Sequence, residues 1–378
     1  MSASTFGRIF RLSTWGESHG PTIGGVVDGC PAGISLSAED IQKALDKRRP
    51  GTSQFTTQRK ETDQVEILSG IFEGRTTGSP ISMLIRNSDQ RSGDYDKDSY
   101  RPGHADYTYD LKYGFRDYRG GGRSSGRETA ARVAGGAIAQ KFLAELGVKI
   151  RAYTHSIGDI TVSNVDYDVQ NPLNMPDAEA YEMAAKLTEV AIGAGDSLGG
   201  EIYCEIIGIP SGVGEPVFDK LEAVLSHGIM SIGGVKGVAF GAGFKAAKMT
   251  GSAHNDPLYI DVSNRLEKAQ RQHSKEIKKE VKIRKKTNHA GGIYGGISDG
   301  SDINFLVAVK PTPSISREQE SVNRQGENIK LSIKGRHDPL IVPRAVAVVE
   351  AMAALSTADL MLLGLSSRID NIRGVLLT

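Results

Sequence analysis

The chain has 378 residues, 39% hydrophobic and 24% charged, which are the proportions of a globular protein with a substantial core. With 46 Lys and Arg against 45 Asp and Glu the formal charge is +1, so attraction of the whole molecule to nucleic acid or an acidic membrane is not expected. Cys30 and Cys204 are too few for a disulfide framework and read as buried free thiols in a reducing compartment. No apolar run is expected to reach the ~18 residues of a membrane span, and Met1 to Thr14 lacks the apolar core of a secretory signal, so the expectation is a cytoplasmic protein. Glycine is the outlier: 45 residues, about 12% against a usual ~7%, clustered in short runs that suit a ligand site built from main chain.

In chain order, Thr22–Asp28 reads as a strand. Ser37 then caps a helix with Glu39 and Asp40 in its first turn and Lys47, Arg48 and Arg49 at its end, before Pro50. Gln64–Ile71 and Pro80–Arg86 read as strands. Residues 87–126 form a polar, aromatic and glycine-rich stretch with no clear element, and a loop of that length is expected to line a site. Arg127–Leu146 is the clearest helix, stopped by Gly147. Strands follow at Val148–Thr154 and Glu201–Ile207, with a helix at Asp177–Ile192 between them. A helix at Phe218–Leu225 then precedes a strand at Val235–Phe240. Asp302–Val309 reads as a buried strand and Arg344–Leu363 as an alanine- and leucine-rich helix. Strands and helices come in groups instead of strict alternation, which predicts a layered α+β fold in a single domain, 1–378. Residues 265–286 carry ten Lys and Arg against three Glu. They read as a solvated helix or mobile flap in preference to a nucleic-acid patch, since stacking aromatics are absent, with lysines that fold over an anion as a middle option.

Several local patterns do not hold up. Gly122-Arg123-Ser124-Ser125-Gly126 fits the hydrolase form G-x-S-x-G but lacks the strand that should lead into it. The same region imitates a P-loop without its lysine, and Gly241-Ala242-Gly243-Phe244-Lys245-Ala246 is a weak dinucleotide fingerprint with no long helix after it. No metal-ligand spacing is present. What remains are three segments that join a titratable group to glycine or arginine. They are Gly16-Glu17-Ser18-His19-Gly20, Arg101-Pro102-Gly103-His104-Ala105-Asp106 and Gly335-Arg336-His337-Asp338-Pro339. Each histidine can be an acid or base on a loop or a packed structural residue, and Asp106 is placed to orient the His104 ring. Between them, Gly120 to Glu128 opens the strongest helix with backbone N–H groups, Ser124, Ser125, Arg123 and Arg127, an anion cradle. Arg48 and the Lys310–Ser314 segment can add cations and hydroxyls. Histidine acids beside a phosphate cradle suggest phosphate elimination or hydrolysis.

These segments, together with Arg48-Arg49-Pro50-Gly51 and Asn288-His289-Ala290-Gly291-Gly292-Ile293, resemble the chorismate synthase family in order and over nearly the whole chain. The resemblance implies a β-α-β sandwich of two sheets enclosing helices, usually a homotetramer. It implies a lyase that forms chorismate from 5-enolpyruvylshikimate 3-phosphate by 1,4-anti elimination of phosphate, the last step of the shikimate pathway, with reduced FMN from an external reductant. Carried over by position, His19 would protonate the substrate phosphate, His104 the flavin near N1, and Asp338 would act with flavin N5 on the ring proton. Arg48, Arg127 and Arg336 would bind substrate anions. Arg123, Ser124, Ser125, Gly233, Gly234, Gly295, Lys310, Pro311, Thr312, Pro313, Ser314 and Arg336 would contact FMN. Arg48 and Gln54 occupy positions linked to NADP(H), and Gln54 departs from the arginine usual there.

Overall fold

The computed structural model describes residues 3–51, 55–56, 61–88, 96–261, 282–333 and 338–377. Gln54, Arg336, His337 and most of the basic run 265–286 lie outside the described residues.

The first half of the chain supplies β1 (Thr5–Phe6), β2 (Arg11–Gly16), β3 (Thr22–Asp28), helix α1 (Ala38–Arg48), β4 (Val65–Ile67), a small ribbon of β5 (Ile71–Phe72) and β6 (Arg75–Thr76), β7 (Ile81–Arg86), α2 (Asp106–Tyr113) and α3 (Thr129–Glu145). Next come β8 (Lys149–Ile157), β9 (Ile160–Thr161), α4 (Ala178–Gly193), β10 (Gly200–Ile207), α5 (Leu221–Met230) and β11 (Val235–Phe240). A helical turn α6 (Gly251–His254) leads to three ribbons, β12 (Leu258–Asp261) with β13 (Lys282–Lys285), β14 (Ile293–Tyr294) with β15 (Ile297–Ser298), and β17 (Gln319–Val322) with β18 (Asn328–Leu331). The buried strand β16 (Ile303–Val309) precedes the last of these, and α7 (Val342–Leu363) and α8 (Ile369–Leu376) close the chain.

Two five-stranded antiparallel sheets result, ordered β1-β2-β3-β7-β4 and β11-β16-β10-β8-β9. Along β16 the residues Ile303, Phe305, Val307 and Val309 are buried while the alternate positions are half-buried, the period-2 signature of a strand with one face on a core. Cys204 and Phe305 face each other across β10 and β16. Helix α3 packs on β2, β3 and β7 of the first sheet, and α7 packs on β8 and β10 of the second. The two helices cross so closely at Gly136 that a Cβ there would sit 2.3 Å from the Ala351 Cβ. Only glycine admits that approach.

Local signals place the elements. Ser37 accepts from the Asp40 N–H while the Asp40 side chain accepts from the Ser37 N–H, a capping box that starts α1. Asp177 caps α4 through the Glu179 and Ala180 N–H groups. Four expectations need correction. The 87–126 stretch contains α2, started by Ala105-Asp106 and stopped by Gly114 at φ +69°. The Phe218–Leu225 helix begins at Leu221, because Lys220 just before it takes a non-helical backbone with ψ 142°. The described end of the basic run is strand β13, and the side chain of Lys285 in it is buried, with Nζ 2.6 Å from Asp299. Finally, Val342–Ser366 is long and apolar enough to cross a membrane, with mean hydropathy 1.8, but 78% of its apolar 18-residue stretch is buried inside the fold, where it serves as the central core helix. Both cysteines are free and buried, as read from the sequence, and burial pushes the Cys30 thiol up to about 11.

Candidate active site

The cradle forms where β2 ends. Arg123, in a 3-10 turn of Gly122–Ser124, donates to the Gly16 carbonyl at 3.0 Å and to the Thr14 hydroxyl at 2.6 Å, which ties the 16–20 segment to the glycine run. Glu128 fixes that corner from the other side by accepting from Thr14 Oγ1 at 2.9 Å and Arg132 Nε at 2.8 Å. His19 is 7% exposed, and its Nδ1 lies 3.1 Å from Ser18 Oγ. Gly120, at φ +73°, covers the imidazole so tightly that a Cβ would lie 2.6 Å from the ring.

Arg101 links this corner to the second histidine segment. It donates to the Gly120 carbonyl at 2.8 Å and forks onto Asp106 with two bonds of 2.7 Å. The expectation that Asp106 orients His104 is therefore corrected: the Asp106 carboxylate is held by Arg101 and by Arg116 at 3.4 Å. His104 Nε2 instead meets Ser314 Oγ at 2.5 Å. Lys310 Nζ donates to the Gly103 carbonyl at 2.8 Å, and Pro313 packs against Gly103, so the 101–106 and 310–314 turns are one unit. Burial, with Lys236 nearby, lowers the Lys310 amine from its ordinary value.

Gly233 and Gly234 approach the same unit through backbone. Lys310 N–H donates to the Gly234 carbonyl at 2.9 Å, and a Cβ on Gly233 would lie 3.9 Å from the Ser124 carbonyl. Ser124 Oγ donates to Gly121 O at 2.7 Å, while Ser125 Oγ accepts from Arg127 N–H at 3.2 Å and caps the next turn. No strand leads into Ser124, which removes the hydrolase elbow. Ser197 Oγ donates to the Thr312 carbonyl at 2.7 Å, yet the buried Thr312 Oγ1 has no hydrogen-bond partner among the described residues. Gly295 lies in a separate hairpin that packs against Glu215 and Lys220.

Below the cradle is a buried guanidinium cluster. Arg48 is 2% exposed, and it donates to Thr129 Oγ1 at 3.1 Å, to Asp63 Oδ2 at 2.9 Å and to the Gly126 carbonyl. Arg127 donates to Asn87 Oδ1 at 2.7 Å and to the other Asp63 oxygen. Burial, then Arg344 and Arg127, push the Arg48 guanidinium down to about 10, still charged near neutrality. Burial alone would raise the Asp63 carboxyl, but the two arginines hold it below the usual carboxylate range. Asp338 pairs with Arg344, whose Nε donates to the Arg48 carbonyl at 3.0 Å. Contacts thus run unbroken from His19 through Gly120, Arg101 and the cradle to Arg48 and Asp338. Asp63 and Arg344 were missed from the sequence, and Arg101 was quoted within its segment but given no role. Only Arg101 carried a signal, its spacing of five residues from Asp106.

A cavity of about 650 Å³ opens beside the cradle. Its lining includes Gly120 to Ser124, Tyr109, Tyr113, Arg132 and His227, but not His19, His104 or Asp338. The hydrogen-bond network, which contains His19, His104 and Asp338, therefore defines the candidate site better than this cavity does.

Known proteins resemble this chain over nearly its whole length. The family model described as chorismate synthase matches residues 10–362. A chorismate synthase of Lachnoclostridium phytofermentans is 56% identical and one of Lachnospira eligens 54% identical, each alignment covering 99% of both chains. A crystal structure of chorismate synthase superposes with a TM-score of 0.72 at 29% identity, covering 97% of this chain and 96% of the other. On this evidence the chain belongs to the chorismate synthase family.

Proposed function

We propose that the chain is a carbon–oxygen lyase that converts 5-enolpyruvylshikimate 3-phosphate to chorismate by 1,4-anti elimination of phosphate. One observation carries the reading: two buried-side histidine segments, an arginine-serine cradle and a carboxylate-arginine pair, far apart in sequence, join in one contact network.

In this reading His19, fixed by Ser18 and roofed by Gly120, gives a proton to the leaving phosphate, whose expulsion from an allylic carbon is otherwise poor. Asp338 works at the ring carbon that loses its proton. Arg48 and Arg127 form a buried guanidinium floor, with Asp63 between them and Glu61 4.0 Å from Arg127, and such groups suit a substrate bearing a phosphate and two carboxylates. The same burial argues for Arg48 acting in that floor and against an exposed pyridine-nucleotide contact.

The residues present fit reduced FMN. Thr312 offers a buried hydroxyl that lacks a partner among the described residues, next to Lys310 and Ser314, and the Ser124 carbonyl faces Gly233, which has no side chain to obstruct it. Arg123, Ser124, Ser125, Gly233, Gly234 and Lys310 to Ser314 would hold it, with Gly295 and Arg336 completing the set. When bound, reduced flavin supplies electron density to the allylic centre without net redox change. His104, held by Ser314, keeps a proton at the flavin's edge. We further propose an external flavin reductant, a cytoplasmic homotetramer, and a layered β-α-β sandwich, the last supported by α3 touching the first sheet and α7 the second.

The test is an anaerobic assay with photoreduced FMN. Inorganic phosphate and chorismate should appear in equal amounts, with no turnover when the flavin is oxidised. Phosphate release without chorismate would sink the proposal.

A further inference from the structure

We propose that Arg344 is a positioning residue that holds the Asp338 carboxylate in its working orientation; this rests on the reading above that Asp338 acts on the ring proton. Arg344 lies in the first turn of α7, six residues beyond Asp338. Its guanidinium is anchored twice: Nη1 donates to Asp338 Oδ2, and Nε donates at 3.0 Å to the Arg48 carbonyl, at the C-terminal end of α1. That carbonyl is one of those a helix end leaves without an internal partner. The main chain between the two residues is pinned separately. Leu340 is fully buried and bridges to Leu198, and the Leu198 N–H donates to the Pro339 carbonyl at 3.3 Å.

The backbone of the Asp338 turn is thus fixed by Leu198, while the direction of the carboxylate is fixed by an arginine itself held to α1. Both side chains are mostly buried, 13% exposed for Asp338 and 16% for Arg344, so water is a poor substitute for the pair. A planar fork suits two acceptors set at an angle, whereas an ammonium on a flexible stem cannot keep both. A displacement of ~1 Å at a reacting group can cost ~10²-fold in rate. Arg344 therefore places the carboxylate without needing to touch the substrate.

The experiment compares full-length Arg344→Met, Arg344→Lys and Asp338→Asn enzymes in the anaerobic assay, with substrate protiated or deuterated at the ring carbon that loses its proton. For Arg344→Met we expect kcat lower by about 10–100-fold, KM and flavin affinity within about threefold of the parent, and a larger isotope effect on kcat. Arg344→Lys should recover part of the rate. A merely structural staple between α1 and α7 predicts instead a lower Tm with kcat per folded molecule and isotope effect unchanged, and that outcome overturns the proposal. Should Arg344→Met fail to fold, Arg344→Lys decides, since normal kcat and isotope effect there overturn it equally. A fully active Asp338→Asn enzyme would remove the role of Asp338 itself, whereas inactive Asp338→Asn with normal Arg344→Met would defeat the positioning role alone.

Discussion

His19 and His104 differ in how they are held, and that difference decides what each substitution should do. His19 sits under Gly120 with Ser18 at one ring nitrogen, while His104 is bonded through Nε2 to Ser314 on a turn 210 residues away. Either change to Ala should lower turnover at least tenfold with the fold intact, since a positioned proton donor is worth ~10²–10⁴. Circular dichroism alongside steady-state rates checks this, and near-normal rates in both would contradict the assigned roles. Gly120→Ala probes the roof. The new methyl meets the His19 ring at 2.6 Å and must also adopt φ +73°, so we expect a large loss of kcat although no reactive group is removed.

At the scale of elements, the α3–α7 crossing depends on Gly136. Gly136→Val drives a branched side chain into Ala351, an overpacking that costs about 1–3 kcal/mol or more and should lower the thermal midpoint, with Gly136→Ala intermediate. The α4 cap gives a pH test. The Asp177 carboxyl is pulled down to about 2 by backbone N–H bonds from Ala180, Asn164 and Ser163. A carboxyl whose folded pKa lies below its unfolded value near ~3.9 adds stability above that value, and the gain is lost as pH falls towards 2. Asp177→Ala should therefore lower Tm at pH 7, with the difference from the parent shrinking between about pH 4 and pH 2. A difference that stays constant across that range would contradict the cap's charge.

For the whole molecule, the amino-terminal segment is tied to the central helix by one side chain. The buried Asp359 carboxylate accepts from the N–H groups of Arg8, Ile9 and Phe10 at 2.7–3.0 Å. Asp359→Ala leaves buried donors unpaired, each costing about 1–3 kcal/mol, and should both lower Tm and raise amide exchange at residues 8–10. Phe10 is fully buried, and Ala3 to Phe6 line the cavity beside the cradle, so this anchor connects overall stability to the edge of the site. Unchanged exchange at those three amides would show that the tie is dispensable.

Much was legible from the chain alone because it was local. Ser37 with Asp40, Asp177, Gly147 and the alternation along Ile303–Val309 act within a few residues, so their caps, stops and strand follow from residue type and spacing. The segments that folding joins also stood out in the chain, as short polar turns combining glycine, arginine and histidine. What tertiary structure decided was partnership. The sequence neighbour Asp106 belongs to Arg101 and Arg116, while His104 found Ser314 across the fold. Asp63 has no distinguishing pattern, yet it joins two arginines 79 residues apart, and Arg344 reads as an ordinary helix residue until α7 is laid against the end of α1. Likewise the apolar length of α7 fits a membrane or a core equally, and only the sheets and helices packed around it select the core. The physical reason is range: caps and periodicity are set by bonds a few residues long, whereas a buried charge takes its role from whichever counter-charge folding delivers to it.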